Sequence, residues 1–234
     1  MSKLTEFLYA ASDATADSEK AIIILPEIYG VKKFTRNLAD SVENETGWSS
    51  YVLDHFYAVT GQVQEFDYTD MAGGSSIMDQ MTGELYLPLL ESAIGTIRAR
   101  QPDLRRLAIW GFCFGGKLAY LSGVNPRVTE IISFYGGASS VPGFYAGDSA
   151  VTALSRARQG DTALRILAGY GVDDPMITAD DRQKVDAALT VAKLTHEFNI
   201  YRAGHAFFNQ DREDRYNAIA AQAAQADVWG FLKA

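Results

Sequence analysis

Apolar runs of strand length alternate along the chain with stretches whose apolar residues recur at helical spacing. AIIILPE (21–27) is a β-branched run that closes on Pro26 and Glu27. KKFTRNLADSVENET (32–46) sets Phe34, Leu38, Ala39 and Val42 on one helical face. SSYVLDHF (49–56) reads as a short strand, and YLPLLESAIGTIRAR (86–100) as a helix with Leu89, Leu90, Ala93 and Ile97 on one side. LRRLAIWGF (104–112) is a strand that runs straight into GGKLAYLSG (115–123), a helix with Gly123 as its stop. TEIISFYG, ALRILAGYG and LTHEFNIYR follow as strands with helical segments between them, and an Ala-rich amphipathic helix (215–234) closes the chain. The least regular stretch is 59–83, rich in Gly, Gln, Asp and Met, which reads as a loop or short-helix excursion over the site edge.

Strands alternating with helices make βαβ units. The expected class is therefore α/β, with a mostly parallel central sheet and helices on both faces, in a single domain spanning 1–234. Several strands are almost wholly apolar, as a sheet covered on both sides requires. In such sheets ligands bind beyond the carboxyl ends of the strands. The loops after Pro26, Phe56, Phe112, Gly136, Gly171 and Arg202 should then meet along one edge.

Composition narrows what that edge can serve. A formal charge of −8 disfavours nucleic acid and anionic membrane surfaces, both of which call for Lys and Arg. The single cysteine cannot form an internal disulfide, and a free thiol suits a reducing compartment. The opening residues carry acids and lack a long apolar stretch, so no leader is expected, and no run reaches the roughly 18 apolar residues of a membrane helix. The expected setting is the cytoplasm and the expected assembly a monomer or small homo-oligomer. No Gly-rich dinucleotide fingerprint and no metal-ligand spacing of His, Cys and acids is present, so neither cofactor nor metal is expected.

The chemistry gathers at GFCFGG (111–116), between a strand and a helix. A nucleophile elbow needs a side chain thrust out of a sharp turn, with little bulk two residues to either side. Gly111 and Gly115 flank Cys113 in that way. The turn would set the thiol at a helix N-terminus, which favours negative charge, and aim the Phe114 amide at a developing oxyanion. The same residues also spell most of a phosphate loop, GxxxxGK, but Leu118 stands where a metal-binding hydroxyl is required.

A thiol nucleophile needs a base and an orienting acid. Of three histidines, His205 in IYRAGHAFFNQ lies just past the last strand, on the ligand edge. His55 follows the second apolar strand, and His196 falls within LTHEFNIYR, where a surface-facing strand position is expected. Nucleophile, acid, histidine is the chain order of α/β-hydrolases. The acid should follow the strand between, where YGVDDPMI offers Asp174, held by Pro175, with Asp173 as the fallback. Glu27 ends an apolar strand expected to lie beside the elbow, where a charge is costly without a partner. The Ile28 amide would be the second oxyanion donor.

Assembled, these pieces resemble the dienelactone hydrolase family, cysteine members of the α/β-hydrolase fold. PEIYG (26–30), DHFYA (54–58), GFCFGG (111–116), GVDDP (171–175) and GHAFFN (204–209) occur in family order. The resemblance implies a Cys113–His205–Asp174 triad, a Glu27 that hydrogen-bonds the resting thiol and releases it when substrate binds, and opening of a lactone or ester through an acyl-thioenzyme. Two departures bear on the substrate. Family enzymes that cleave dienelactone hold its carboxylate with arginines, yet no Lys or Arg occurs between Arg36 and Arg98, and Asn209 stands where a second arginine is expected. A small neutral or differently anchored ester or lactone is therefore expected, with Tyr57, Tyr86, Phe207 and Asn209 as substrate contacts. The chain also starts close to its first parallel strand, leaving little room for leading antiparallel strands. The alternative reading of the same activated thiol is an oxidant sensor or electrophile binder without hydrolase activity.

Overall fold

A computed structural model describes residues 1–11 and 17–234. Residues 12–16, part of the opening stretch read as free of a leader, lie outside it. β3 (Asp17–Leu25) and β5 (Arg106–Phe112) pair in parallel at the centre of an eight-stranded sheet. On one side of β3 lies β4 (Trp48–Leu53), followed by β2 (Leu8–Ala10) and β1 (Ser2–Lys3) at the edge. On the other side of β5 lie β6 (Glu130–Phe134), β7 (Arg165–Gly171) and β8 (Thr195–Tyr201). The six strands from β4 to β8 are parallel, while β2 runs antiparallel to β4 and to β1.

The opening hairpin corrects one expectation, that leading antiparallel strands would not fit. They fit because they are only two and three residues long. Thr5 Oγ1 accepts the amides of Phe7 (3.3 Å) and Leu8 (3.1 Å) and closes the turn between them.

The order of the strands fixes where the helices go. The chain steps outward from β3 to β4, returns across β3 to β5, and then adds strands in one direction only. Right-handed crossovers put the connection of the outward step on one face and all the later ones on the other. So α1 (Lys33–Thr46) covers one face, where α8 (Ala218–Lys233) packs beside it. On the opposite face α4 (Gly83–Arg100), α5 (Phe114–Ser122), α6 (Ala150–Ala157) and α7 (Ala179–Val191) each pack on the next. Covered on both faces, Ala21 to Leu25 lose all exposure to solvent, which explains why that run has no polar alternation. Among the described residues no helix is long and apolar enough to cross a membrane.

The reversal of direction at β3 and β5 opens a crevice at the carboxyl ends of these strands. The irregular stretch 59–83 lies over it, and contains α3 (Met71–Met78) after the single turn α2 (Tyr57–Thr60). Asp70 caps α3 by accepting the Gly73 amide at 2.9 Å. A Cβ at Gly74 would overlap the Ile28 carbonyl, so α3 rests directly on the loop that follows β3.

Candidate active site

Cys113 occupies the one-residue turn between β5 and α5 with φ 54° and ψ −116°, a conformation that costs an L-residue strain. The flanking glycines explain how the turn is tolerated. A Cβ on Gly111 would overlap the Gly115 carbonyl, and a Cβ on Gly115 would overlap the carbonyls at the end of β3, Leu25 and Pro26. The Cys113 amide donates to the Phe134 carbonyl (3.0 Å), and the Gly116 amide returns to the Cys113 carbonyl (3.0 Å). The thiol is half-buried at the start of α5. The amides of Phe114 and Ile28 donate to no acceptor among the described residues, so both remain free for a ligand oxygen.

His205 comes from the loop after β8 and is buried. Its Nδ1–H donates to Asp174 Oδ2 at 2.7 Å, and Asp174 Oδ1 accepts the Met176 amide at 2.8 Å, which fixes the carboxylate plane. Asp173, by contrast, is exposed and makes no bond to His205. Of the two adjacent acids the structure therefore brings Asp174 to His205. His205 Nε2 falls short of full hydrogen-bond geometry with any described group, and the Cys113 thiol is the group that acts on it from that side. Burial alone would lower the imidazole pKa; the interactions with Cys113 and with Asp174 outweigh burial and push it up to about 10.

Glu27 is buried where the sequence placed it, just past β3. Its surroundings differ from the expectation drawn from resemblance. Oε1 accepts the Tyr135 hydroxyl (3.2 Å) and Oε2 accepts Asn209 Nδ2 (3.0 Å), and neither oxygen bonds the thiol. Two donors already satisfy the carboxylate, and the thiol interacts with His205 instead. Burial raises the Glu27 pKa above the ordinary 4.5, against the pull of the Asn209 bond and of His205. Asn209 Nδ2 also reaches the Tyr68 hydroxyl at 3.2 Å.

A cleft of about 470 Å³ opens over Cys113 and His205, lined by Met78, Met81, Phe114, Lys117, Phe144 and Met176 among others. Such a volume suits a small molecule. None of the four expected substrate contacts lines it. Tyr86 is fully buried with its hydroxyl 2.7 Å from Ser122 Oγ, a core position on α4. Phe207 is fully buried against Phe134, Tyr135 and Tyr201. Tyr57 packs on Phe7 of the opening hairpin, ring centroids 5.2 Å apart. Asn209 is occupied with Glu27 and Tyr68. Aromatic residues near the strand ends were drawn into the core because ring burial is worth more there than at the rim. The lining comes instead from the end of α3, the turn before α4 and the 137–144 loop. Sequence pattern gave no sign of this, apart from the Met-rich character of 59–83.

The two remaining histidines stand apart. His196 on β8 bonds the Leu194 carbonyl (2.8 Å) and Asp186 (2.9 Å). His55 is fully buried, with its ring edge-on to Phe56 and Phe114, and both its nitrogens lack partners among the described residues. Burial lowers its pKa to about 3, so it is neutral.

Comparison with known proteins bears on this arrangement. A Synechocystis protein provisionally assigned as a carboxymethylenebutenolidase is 28% identical over 231 residues, covering 96% of this chain and 88% of its own. A Bradyrhizobium protein provisionally assigned as a 2-oxo-3-(5-oxofuran-2-ylidene)propanoate lactonase is 26% identical over 229 residues, with the same coverage of 96% and 88%. Among solved structures, a Klebsiella pneumoniae protein provisionally assigned as a dienelactone hydrolase superposes with a TM-score of 0.81 at 22% identity, over 97% of this chain and 92% of that one. That likeness extends to the whole sheet and its helices, an α/β-hydrolase fold. Matched by the family model from residue 7 to residue 234, the chain belongs to the dienelactone hydrolase family.

Proposed function

We propose that this hydrolase opens carboxylic ester or lactone bonds through an acyl-thioenzyme on Cys113, with His205 as base and acid and Asp174 as its orienting partner. The Cys113 sulfur attacks the carbonyl carbon. Negative charge develops on the carbonyl oxygen, opposite the free amides of Ile28 and Phe114. The carbon–oxygen bond to the alcohol breaks, and imidazolium His205 gives its Nε2 proton to the departing oxygen. In the second half, His205 takes a proton from water, whose oxygen attacks the thioester carbon. The carboxylic acid leaves and the sulfur is restored.

The observation that carries this reading is the 2.7 Å His205–Asp174 bond, with Nε2 left toward the sulfur inside the cleft. It is the base-and-orienter arrangement a thiol nucleophile requires. Both curated relatives described above bear names of lactone-opening activities, which is consistent with an ester or lactone as substrate. The cleft lining lacks arginine, so a substrate held by guanidinium groups, as dienelactone is in the family, is not what it is built to take.

Turnover of a panel of small aryl esters and lactones by wild type and Cys113→Ala tests the proposal, with intact mass recorded after a short exposure. The expected result is a loss of roughly 10³-fold or more in the variant, and an acyl adduct on wild type alone. Equal rates for the two proteins on every substrate would overturn it. Rapid reaction of Cys113 with peroxide together with no esterase turnover would favour the oxidant-sensing alternative.

A further inference from the structure

Lys117 lies on α5 one helical turn beyond Cys113, its amide 3.3 Å from the Cys113 carbonyl. Residues four apart share a helix face, and helical side chains lean toward the N-terminus, so a lysine here reaches back over the elbow. It lines the same cleft as Cys113 and His205. Its Nζ sits 3.7 Å from the centre of the Phe144 ring. That ring is held over it because the Gly83 amide donates to the Phe144 carbonyl at 2.7 Å.

The ammonium is half-buried, and burial is the one cause acting on it: no carboxylate offsets the lost water. Its pKa is lowered to about 8 in consequence. A desolvated cation with a ring but no counter-ion is costly to keep. An anion arriving in the cleft relieves that cost. No other lysine or arginine lines the cleft; its one carboxylate, Asp79, is exposed at the rim and screened by water.

We propose that Lys117 is the anion anchor of this cleft, so that the ester or lactone presented to Cys113 carries a carboxylate. The inference rests on the catalytic reading above and supplies the substrate class that reading leaves open. One ammonium is a point charge rather than a planar fork. It fixes the presence of a carboxylate more strictly than its orientation, and this distinguishes the cleft from one with paired arginines.

The test does not depend on turnover. Cys113 is alkylated by iodoacetate, an anion, and by iodoacetamide, its neutral counterpart, in wild type, Lys117→Met and Lys117→Arg. The ratio of the two rates cancels differences in thiol reactivity. The expected result is a ratio about fivefold or more lower in Lys117→Met and restored in Lys117→Arg, as loss of one charge-assisted bond implies. A second readout compares kcat/KM for mono-4-nitrophenyl glutarate with that for 4-nitrophenyl valerate, acyl groups of matched length. The glutarate preference should fall about tenfold in Lys117→Met, chiefly through KM. An unchanged alkylation ratio overturns the anchor even where Cys113 proves essential for hydrolysis. A changed ratio with no turnover of any ester upholds the anchor and removes the hydrolytic reading instead.

Discussion

At the scale of single residues, the site is a balance between burial and two polar neighbours of one imidazole. Burial lowers the His205 pKa, and the interactions with Cys113 and Asp174 raise it to about 10. Removing the sulfur removes one of the two interactions that raise it. In Cys113→Ala, His205 should therefore titrate well below its wild-type value, as followed by imidazole NMR across pH 5 to 10. An identical titration in the two proteins would mean that the thiol does not act on the histidine. The same balance has a sign in stability. The folded pKa lies above the ordinary 6.5, so the stabilisation is complete below about 6.5 and is lost as pH climbs through about 10.

At the scale of elements, the elbow depends on two glycines that answer to different neighbours. Gly111, near the end of β5, faces the first turn of α5, and Gly115 faces the end of β3. Gly111→Ala should cost more than about 3 kcal/mol in urea unfolding, since the overlap is with backbone that cannot step aside. A cost below about 1 kcal/mol would show that the turn relaxes freely. This element was readable from sequence because its requirements are local: a β-branched strand, glycines at fixed offsets and a helix behind. Asp174, His205 and Glu27 were readable for a related reason, since parallel strands deliver their following residues to one edge whatever their separation in sequence. The lining was not readable. Tyr86 and Phe207 have the chemistry of substrate contacts, but side-chain direction decided their fate, and direction is set by how α4 and the 204–209 loop pack. Lys117 is illegible in sequence for the opposite reason: the residues around it spell most of a phosphate loop, and no local pattern encodes that a helical lysine reaches the cleft. The opening hairpin is not legible in sequence because two- and three-residue strands carry too little pattern to register.

At the scale of the whole molecule, a chain of net charge −8 keeps two adjacent titratable side chains buried beside the site, and they pull its acid stability in opposite directions. His55 has a folded pKa of about 3 against an ordinary 6.5. Its contribution is therefore complete above about 6.5 and lost as pH falls toward 3, because the unfolded chain takes up a proton that the folded chain refuses. Asp54 is raised to about 6 by burial, in spite of the Gln64 and Phe56 amides that bond its oxygens. Its contribution runs the other way: between 6 and 3.8 the folded chain takes the proton first, and stability rises as pH falls. Over roughly pH 6 to 4 the two offset each other, and below that range the histidine alone remains. Replacing His55 removes one side of the balance. The stability of His55→Phe minus that of wild type should rise as pH is lowered from 6.5 to 4.5, by about 2 kcal/mol at 1.4 kcal/mol per pKa unit. Every other group is common to both proteins and cancels in the difference. Urea midpoints at a series of pH values measure it, with His55→Leu as a second variant should the larger ring be rejected. A difference that stays flat with pH would mean that His55 is protonated in the folded protein, and hence that a partner or water reaches the ring that packs beside Phe114.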